Sequence, residues 1–183
     1  MANTIRSFFE QKNSKGATPA KTASPACQKI IPEHAQALGT FFERLKASGA
    51  EEHFHPHPLT GEEAKKKSAY SGKDFYCVLM EGKEVIGYGM LRGWDEGYEV
   101  PSLGIAIDPA VQGRGYGRRL MQFLHAAAAE RGAKKIRLKV YPANVRAAGL
   151  YRSLGYVFQG GEDEQLTGFF QIAESGSQKE TAR

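Results

Sequence analysis

The residues best suited to chemistry lie in one glycine-rich stretch in the middle of the chain. An alternating apolar run of Leu103, Ile105 and Ile107 ends at Asp108, and the turn QGRGYGR follows at residues 112–118. Apolar residues at helical spacing come next. The first amides of such a helix have no partner within it, and the helix dipole adds positive charge there. The stretch therefore predicts a binding loop for a phosphate or pyrophosphate.

Three kinds of phosphate loop compete for this turn. A Walker A loop requires Gly-Lys-Ser/Thr at its end, whereas this turn continues to Arg118 and Arg119. A dinucleotide fingerprint requires G-x-G-x-x-G and an acidic residue about 20 positions later, and residues 136–141 contain none. The third pattern, Gln-x-x-Gly-x-Gly, is met by Gln112, Gly115 and Gly117. A glycine-rich loop without a ligand remains the alternative if the turn is considered alone.

A second block decides between these readings. Residues 136–158, IRLKVYPANVRAAGLYRSLGYVF, place Asn144, Ala148, Leu150-Tyr151 and Leu154-Gly155-Tyr156 downstream of the glycine turn. In order and spacing, the two blocks from about Val100 to Phe158 resemble the GNAT superfamily of acyl-CoA-dependent N-acetyltransferases. More loosely, the chain resembles GNAT proteins associated with bacterial surface-glycan synthesis.

The resemblance implies acetyl-CoA as co-substrate. Two parallel central strands would splay apart, with the acyl-pantetheine in the gap and its pyrophosphate on the glycine turn. Asn144 matches the family position that bonds the pantetheine arm, although it also suits the N-cap of its own helix. The cofactor-binding residues implied in this way are Ile105, Ala106, Ile107, Gln112, Gly113, Arg114, Gly115, Tyr116, Gly117, Arg118 and Asn144.

The catalytic residues are less fully defined. Tyr151 matches the family tyrosine that protonates the leaving thiolate; the alternative is a packing role beside Leu150 and Leu154. Some protein N-terminal acetylating members carry a Glu where this chain has Lys139, which argues against that subgroup. Glu99 is the first candidate for the base, although a solvent-facing Glu is an equal alternative. His55 and His57 and a water-mediated path remain open.

The acceptor site is predicted from aromatic, imidazole and acidic residues. Phe54, Trp94 and Tyr98 would stack on a sugar, with His55 and His57 in a rigid loop beside them. Asp95, Glu96 and Glu99 would attract an ammonium group. Each of these has an exposed-loop alternative. The alternate histidines of HFHPHP suggest a metal only if the backbone is extended, and two prolines interrupt them, so we predict no metal.

Composition indicates one α/β domain. The net charge is +5, and residues 1–26 carry a surplus of three from four basic side chains and one acidic one. We expect residues 1–26 to be a disordered leader, 27–173 a single GNAT acetyltransferase domain and 174–183 a polar tail. Two distant cysteines fit a reducing compartment. With no basic helix, membrane-length apolar run or secretory signal, we predict no nucleic-acid or membrane partner and a cytoplasmic monomer or homodimer.

The elements that position these residues follow from periodicity and turn chemistry. The predicted order is strand, two helices, three strands, helix, strand, helix and two strands. The strand-helix-strand unit at 99–141 requires parallel strands, whereas the hairpins make their own strands antiparallel. The expected fold is a twisted, mostly antiparallel α/β sheet with a parallel central pair, flanked by helices.

Three functions remain from the sequence alone. The first is acetyl transfer from acetyl-CoA to an amine of an amino sugar or other small molecule, by direct attack in a ternary complex. The second is acetylation of protein N-termini or lysines. The third is a CoA-binding or clamp-docked module without turnover, which only Ile5, Phe8 and Phe9 favour.

Overall fold

The computed structural model describes residues 24–54, 56–160 and 165–173, without the side chains of Glu51 and His53. These residues form seven strands and four α-helices. In chain order they are β1 (Ala26–Lys29), α1 (Ala35–Ala47), α2 (Gly61–Ser68), β2 (Phe75–Glu81), β3 (Glu84–Arg92), β4 (Ser102–Ile107), α3 (Tyr116–Glu130), β5 (Lys135–Val140), α4 (Val145–Ser153), β6 (Val157–Gln159) and β7 (Leu166–Gln171). The order of elements predicted from the sequence is confirmed.

The strands form one mixed sheet in the order β1-β2-β3-β4-β5-β7-β6. Every neighbouring pair is antiparallel except β4 and β5, which are parallel and joined through α3. The predicted fold class is therefore confirmed. The sequence did not predict that β7 inserts between β5 and β6.

The parallel pair is joined at one point only. Ser102 pairs with Arg137, and the N–H of Arg137 donates to the carbonyl of Pro101 at 3.0 Å. Beyond that bridge the ladder is not continued, whereas β3 pairs with all six residues of β4. The two central strands therefore diverge from their amino-terminal ends and leave a gap inside the sheet.

Two apolar layers cover the sheet. Successive strand residues face opposite sides, so Cys77 packs in the layer of α3 whereas Val78 packs in that of α1. Gly89 lets α3 approach, because a Cβ there would lie 3.0 Å from Leu124 Cδ1 and from Cys77 Sγ. Glycines inside a strand, such as Gly87 and Gly89 of β3, indicate a bulge or a close approach by another group. The register skips Ile86, so the bulge is present, and Gly89 faces the helix α3.

The central strand begins later than predicted. The sequence indicated a strand from Glu99, whereas β4 starts at Ser102. A turn closed by the N–H of Tyr98 and the carbonyl of Gly93 (2.8 Å) occupies the preceding residues. The buried Asp74 carboxylate fixes that turn by accepting from the N–H groups of Gly93 (2.8 Å) and Trp94 (2.9 Å). Glu99 therefore lies in a bend outside the sheet.

Two helix starts agree with the sequence. The Thr60 hydroxyl accepts from the N–H of Glu63 at 3.1 Å and caps α2, which a Thr followed three residues later by a Glu indicates. The Asn144 side chain accepts from the N–H of Ala147 at 3.1 Å and caps α4. Residues 1–23 of the predicted leader, with Ile5, Phe8 and Phe9, and the predicted tail from residue 174 lie outside the described residues. Within the described part of the chain, no helix has the length and apolar character needed to cross a membrane.

Candidate functional site

The gap between β4 and β5 forms a cavity of about 660 Å³, called the main cavity below. All six residues of β4 line it, and Lys139 and Val140 of β5 line the opposite wall. The glycine turn closes one end, whereas Phe54 and Pro56 lie at another part of the wall. The cavity thus joins the predicted phosphate loop to the predicted acceptor loop.

The glycine turn has the backbone geometry of an anion loop. Gly113 and Gly115 have φ values of +83° and +82°, which L side chains rarely adopt. Helix α3 begins at Tyr116 directly after Gly115, so its first amides have no partner earlier in the helix. A Cβ on Gly117 would lie 3.1 Å from Leu150 Cδ2. The backbone therefore comes close to α4 where an oxyanion would meet the helix N-terminus.

The cofactor-binding residues predicted from the sequence gather around this cavity. Ile105, Ala106, Ile107, Gln112, Gly113, Gly115, Tyr116, Gly117, Arg118 and Asn144 all line it. Arg114 is exposed and is not part of the lining. Arg118 donates from Nη2 to the Ser153 hydroxyl at 2.7 Å, which ties the loop to α4.

The sequence analysis missed one basic residue that lies beside the glycine turn. The Arg146 guanidinium donates to Gln112 Oε1, and its Nη2 is 3.7 Å from where a Cβ on Gly113 would lie. Gln112 in turn donates to the carbonyl of Ile107 at 3.3 Å. Arg146 therefore adds a positive charge beside the turn from another element. Its position two residues after the Asn144 cap was the only available signal.

Tyr151 lies on α4 and lines the cavity. It is 7 % exposed, and burial raises the pKa of its phenol to about 12. Its ring lies 5.8 Å from that of Tyr156. The hydroxyl is therefore protonated at neutral pH, and the residue both packs, as the alternative reading expected, and faces the cavity.

Glu99 is not placed at this site. It is exposed, it precedes β4, and it lines neither the main cavity nor the smaller one beside it. Among the described residues, the main cavity is lined by no carboxylate and no imidazole. The placement gives no support to Glu99 as a base that touches the acceptor.

The loop predicted to contact the acceptor is held to β3 by hydrogen bonds. His57 donates through Nδ1 to the carbonyl of Pro58 (2.9 Å), which leaves Nε2, 3.1 Å from the Tyr88 hydroxyl, as an acceptor. Burial lowers the pKa of His57, which favours its neutral form. Arg92 Nη1 donates to the carbonyl of Pro56 at 2.6 Å. His57 therefore positions the loop, whereas Phe54 lines the cavity directly.

The other predicted acceptor residues separate into different surroundings. Trp94 lines neither cavity. The Arg131 guanidinium packs over the Trp94 ring, with its Cζ 5.2 Å from the ring centre. Asp95 accepts from the Tyr70 hydroxyl and from the N–H of Lys73 (2.8 Å), so its carboxylate fixes a turn. Tyr98 and Glu96 line the smaller cavity. His55 lies outside the described residues, within which no cluster of three metal-ligating side chains occurs.

The cavity fits a ligand that is anionic at one end and amide-like along its length. The alternation of the β4 ladder places the peptide groups of Leu103, Ile105 and Ile107 on the same side as the carbonyl of Pro101, which faces β5. The glycine turn supplies amides and cations beyond them. A pyrophosphate joined to an extended amide arm, as in acetyl-CoA, matches both features.

Comparison with known proteins agrees with this geometry. The model of the acetyltransferase (GNAT) family matches residues 42–156. The fold is similar to the GNAT domain of PAT from S. lividans, with a TM-score of 0.72 and 19 % identity over 82 % of this chain and 92 % of that one. It is also similar to the ribosomal-protein-S5-alanine acetyltransferase from Vibrio fischeri, with a TM-score of 0.66 and 16 % identity over 82 % and 94 % of the two chains. A third similar structure is the PaiA N-acetyltransferase from Thermoplasma acidophilum in complex with coenzyme A, with a TM-score of 0.67 and 12 % identity over 81 % of this chain and 99 % of that one.

The similarity to these structures concerns the fold, since all three identities are low. The family match rests on sequence and spans more than half of the chain, including the glycine turn and Tyr151. It ends at Tyr156, the last of the residues that carry the resemblance in the second block. The protein therefore belongs to the acetyltransferase (GNAT) family, as an acyltransferase whose acetyl donor is acetyl-CoA.

Proposed function

We propose that the protein transfers the acetyl group of acetyl-CoA to a primary amine of an amino sugar or other small molecule, by direct attack in a ternary complex. The observation that carries this proposal is the loop at residues 56–58, which hydrogen bonds hold in place. It is fixed to β3 through His57 and Arg92, and its Pro56 forms part of the cavity wall. A compact amine suits such a wall better than an extended polypeptide.

Each part of the site has a separate role in this proposal. The amides of the glycine turn, with Arg118 and Arg146, bind the pyrophosphate. The peptide groups of Ile105 and Ile107 orient the pantetheine arm, and Asn144 combines that role with its cap. Acetyl-CoA supplies the activated acyl group. Holding both substrates in one cleft then provides much of the rate enhancement.

Proton movements determine the remaining roles. The protonated Tyr151 phenol supplies the proton or hydrogen bond that the leaving sulfur needs. The described lining contains no carboxylate or imidazole, so we propose that water removes a proton from the acceptor ammonium and that the resulting neutral amine attacks the thioester. Glu96, the carboxylate among the described lining residues of the adjoining cavity, attracts the amine by charge.

Acetylation of a protein amine is the second candidate. It is favoured by the fold shared with a ribosomal-protein-S5-alanine acetyltransferase. Lys139, which lines the cavity, stands against it, because the resemblance to N-terminal acetylating members calls for a Glu at that position. The alternative of a docking module, which only Ile5, Phe8 and Phe9 favour, concerns residues outside those described and stays untested.

The test is release of free thiol from acetyl-CoA against a panel of amines. The panel contains amino sugars, nucleotide-linked amino sugars, aminoglycosides, polyamines, amino acids, and peptides with free N-termini or lysines. We expect selective release with a small amine. Release with peptides alone would replace this proposal by the second candidate. Silence across the panel, with acetyl-CoA shown to bind by calorimetry, would reject both acceptor classes.

A further inference from the structure

A second cavity of about 340 Å³ lies beside the first. Pro56, Ser102, Leu103 and Gly104 line both, so the two spaces meet at the beginning of β4. The glycine turn lines only the main cavity. The second cavity therefore adjoins the acceptor side of the cleft, away from the pyrophosphate loop.

Two arginines flank this meeting point on one face of the sheet. Arg92 of β3 is the register partner of Ser102 of β4, and Ser102 is the register partner of Arg137 of β5. Register partners on neighbouring strands project to the same side of a sheet. Strands are spaced by about 4.8 Å, so the two arginine Cα atoms are about 10 Å apart with Ser102 between them. Both side chains line the second cavity.

The donors of Arg137 are incompletely used. Its Nε is buried and has no hydrogen-bond partner among the described residues. Its guanidinium lies 5.6 Å from the ring of Tyr98. Arg92 uses Nη1 for the carbonyl of Pro56, whereas a guanidinium carries five N–H donors. A buried charged donor without a partner is costly, and a ligand that accepts from it removes that cost.

The charges around the cavity are unequal. Arg92 and Arg137 contribute two cations, and Glu96 contributes the single carboxylate among its described lining residues. Glu96 lies in the exposed turn before β4, while both arginines stand on the sheet. The cavity therefore combines a place for an anion between the arginines with a carboxylate suited to an ammonium.

We propose that the amine acceptor carries an anionic group, a carboxylate or a phosphate, which binds between Arg92 and Arg137. The amine then points over Ser102 into the main cavity. This inference rests on the proposed function and narrows its acceptor class. Arginine forks match both carboxylate and phosphate oxygens in a bidentate manner, so the two anions share one recognition chemistry.

The first test compares acceptors that differ only in the anion. The pairs are glucosamine 6-phosphate with glucosamine, and an amino acid with its carboxamide, assayed by thiol release. We expect wild type to prefer one anionic member by about ten- to a hundredfold in kcat/KM, in line with a charge-assisted hydrogen bond. The preferred pair identifies phosphate or carboxylate. Equal kcat/KM within both pairs would overturn the inference and leave the proposed function intact.

Variants on β5 test the assignment to Arg137. In Arg137→Gln we expect the ratio of kcat/KM between the anionic and the neutral acceptor to fall toward one. In Arg137→Lys we expect this ratio to recover in part. Lys135→Gln is the matched control, because it removes a cation two residues away on the same strand, outside both cavities. We expect Lys135→Gln to retain the preference, because the Arg137 guanidinium and not the net charge of the strand recognises the anion. Arg92 is less suitable, since it also holds Pro56.

A binding measurement keeps the two proposals separate. Protein saturated with coenzyme A, which covers the pyrophosphate loop, is heated with phosphate or acetate in place of chloride at constant ionic strength. We expect one anion to raise Tm in wild type and in Lys135→Gln, and the rise to be lost in Arg137→Gln. A Tm rise without turnover on any amine would support the anion site and reject the proposed function. Absence of any Arg137-dependent rise would overturn the anion site.

Discussion

At the scale of single residues, the side chains and glycines of the site fall into two groups. The cofactor-side residues had local signals, since Gln112, Gly115 and Gly117 stand at fixed spacing within one turn. The acceptor-side residues come from separate segments, so their proximity depends on tertiary structure. Arg137 shows this well, because its relation to Arg92 arises only through strand pairing with Ser102.

Tyr151→Phe tests the proposed acid. Removing the phenol should lower kcat by about a hundredfold or more, since a positioned proton donor contributes about 10²–10⁴-fold. Acetyl-CoA affinity, measured by calorimetry, should stay nearly the same because the ring is retained. Tyr156→Phe is the matched control: its hydroxyl bonds His125 at 2.9 Å and it lines neither cavity. A kcat equal to wild type in Tyr151→Phe would remove Tyr151 from the mechanism.

Gly117→Val tests the pyrophosphate assignment. A Cβ at residue 117 would already lie 3.1 Å from Leu150 Cδ2, and two further methyl groups would fill the approach to the helix N-terminus. We expect the Kd for acetyl-CoA to rise at least about tenfold, the loss of one charge-assisted hydrogen bond. Gly149→Val on α4, where a Cβ meets open space, supplies the comparison. Equal affinities of the two variants would remove this loop from the cofactor site.

At the scale of elements, periodicity and turn chemistry were sufficient for order and type but not for every boundary. Thr60 and Asn144 mark their helix starts locally, and both caps form. The predicted start of β4 was wrong by three residues. The turn before that strand is fixed by Asp74, which lies 19 residues before Gly93 in the sequence. No local sequence pattern indicates the gap between β4 and β5, which was expected only through the family resemblance.

The contact of α3 with the last strand carries a pH-dependent term. His125 of α3 stacks on Phe170 of β7 with ring centres 4.2 Å apart, and burial lowers its pKa to about 4. In the unfolded chain a histidine titrates near pH 6.5, so the unfolded state binds the proton first as pH falls. The free energy of unfolding should therefore decrease as the pH falls from about 6.5 to about 4. Below that range both states bind the proton, so this group causes no further change.

Urea unfolding at pH 7, 6, 5 and 4 measures this term in wild type and in His125→Gln. The glutamine cannot bind a proton in this range and can still meet the Tyr156 hydroxyl. As the pH falls, we expect the free energy of unfolding to decrease more steeply in wild type than in His125→Gln. Carboxylate titrations occur in both proteins and cancel when the two curves are subtracted. Parallel curves would show that His125 has the same proton affinity in both states.

At the scale of the whole molecule, α1 is tied to the end of the central strand by one ion pair. Arg44 Nε donates to Asp108 Oδ2 at 2.6 Å, and Arg44 Nη2 donates to the carbonyl of Val85 at 2.7 Å. Asp108 also accepts from the N–H of Ala110 at 3.0 Å, where the chain leaves β4 for the glycine turn. The pair thus links the helical layer, the sheet and the cofactor loop.

Asp108→Asn should destabilise the fold by about 2 kcal/mol, the range for hydrogen bonds to charged groups. The substitution leaves the Arg44 guanidinium facing a neutral amide at a site where Asp108 is buried. Urea denaturation gives the change in unfolding free energy. The exposed pair of Glu62 and Lys66 provides a reference, since solvent screens it and Glu62→Gln should change stability much less than Asp108→Asn. Similar losses in both variants would contradict the structural importance of the Arg44 pair.

The single bridge between β4 and β5 makes the sheet two half-sheets held together by one ladder pair and α3. Acetyl-CoA in the gap would act as the missing strand, and amide hydrogens of Ile105 and Ile107 would exchange more slowly with solvent when it is bound. A ligand present at 100 times its Kd adds about 2.7 kcal/mol to the stability of the folded state. We therefore expect the lifetime of this protein in a cell to depend on the supply of its own co-substrate, so that a fall in acetyl-CoA would speed its degradation.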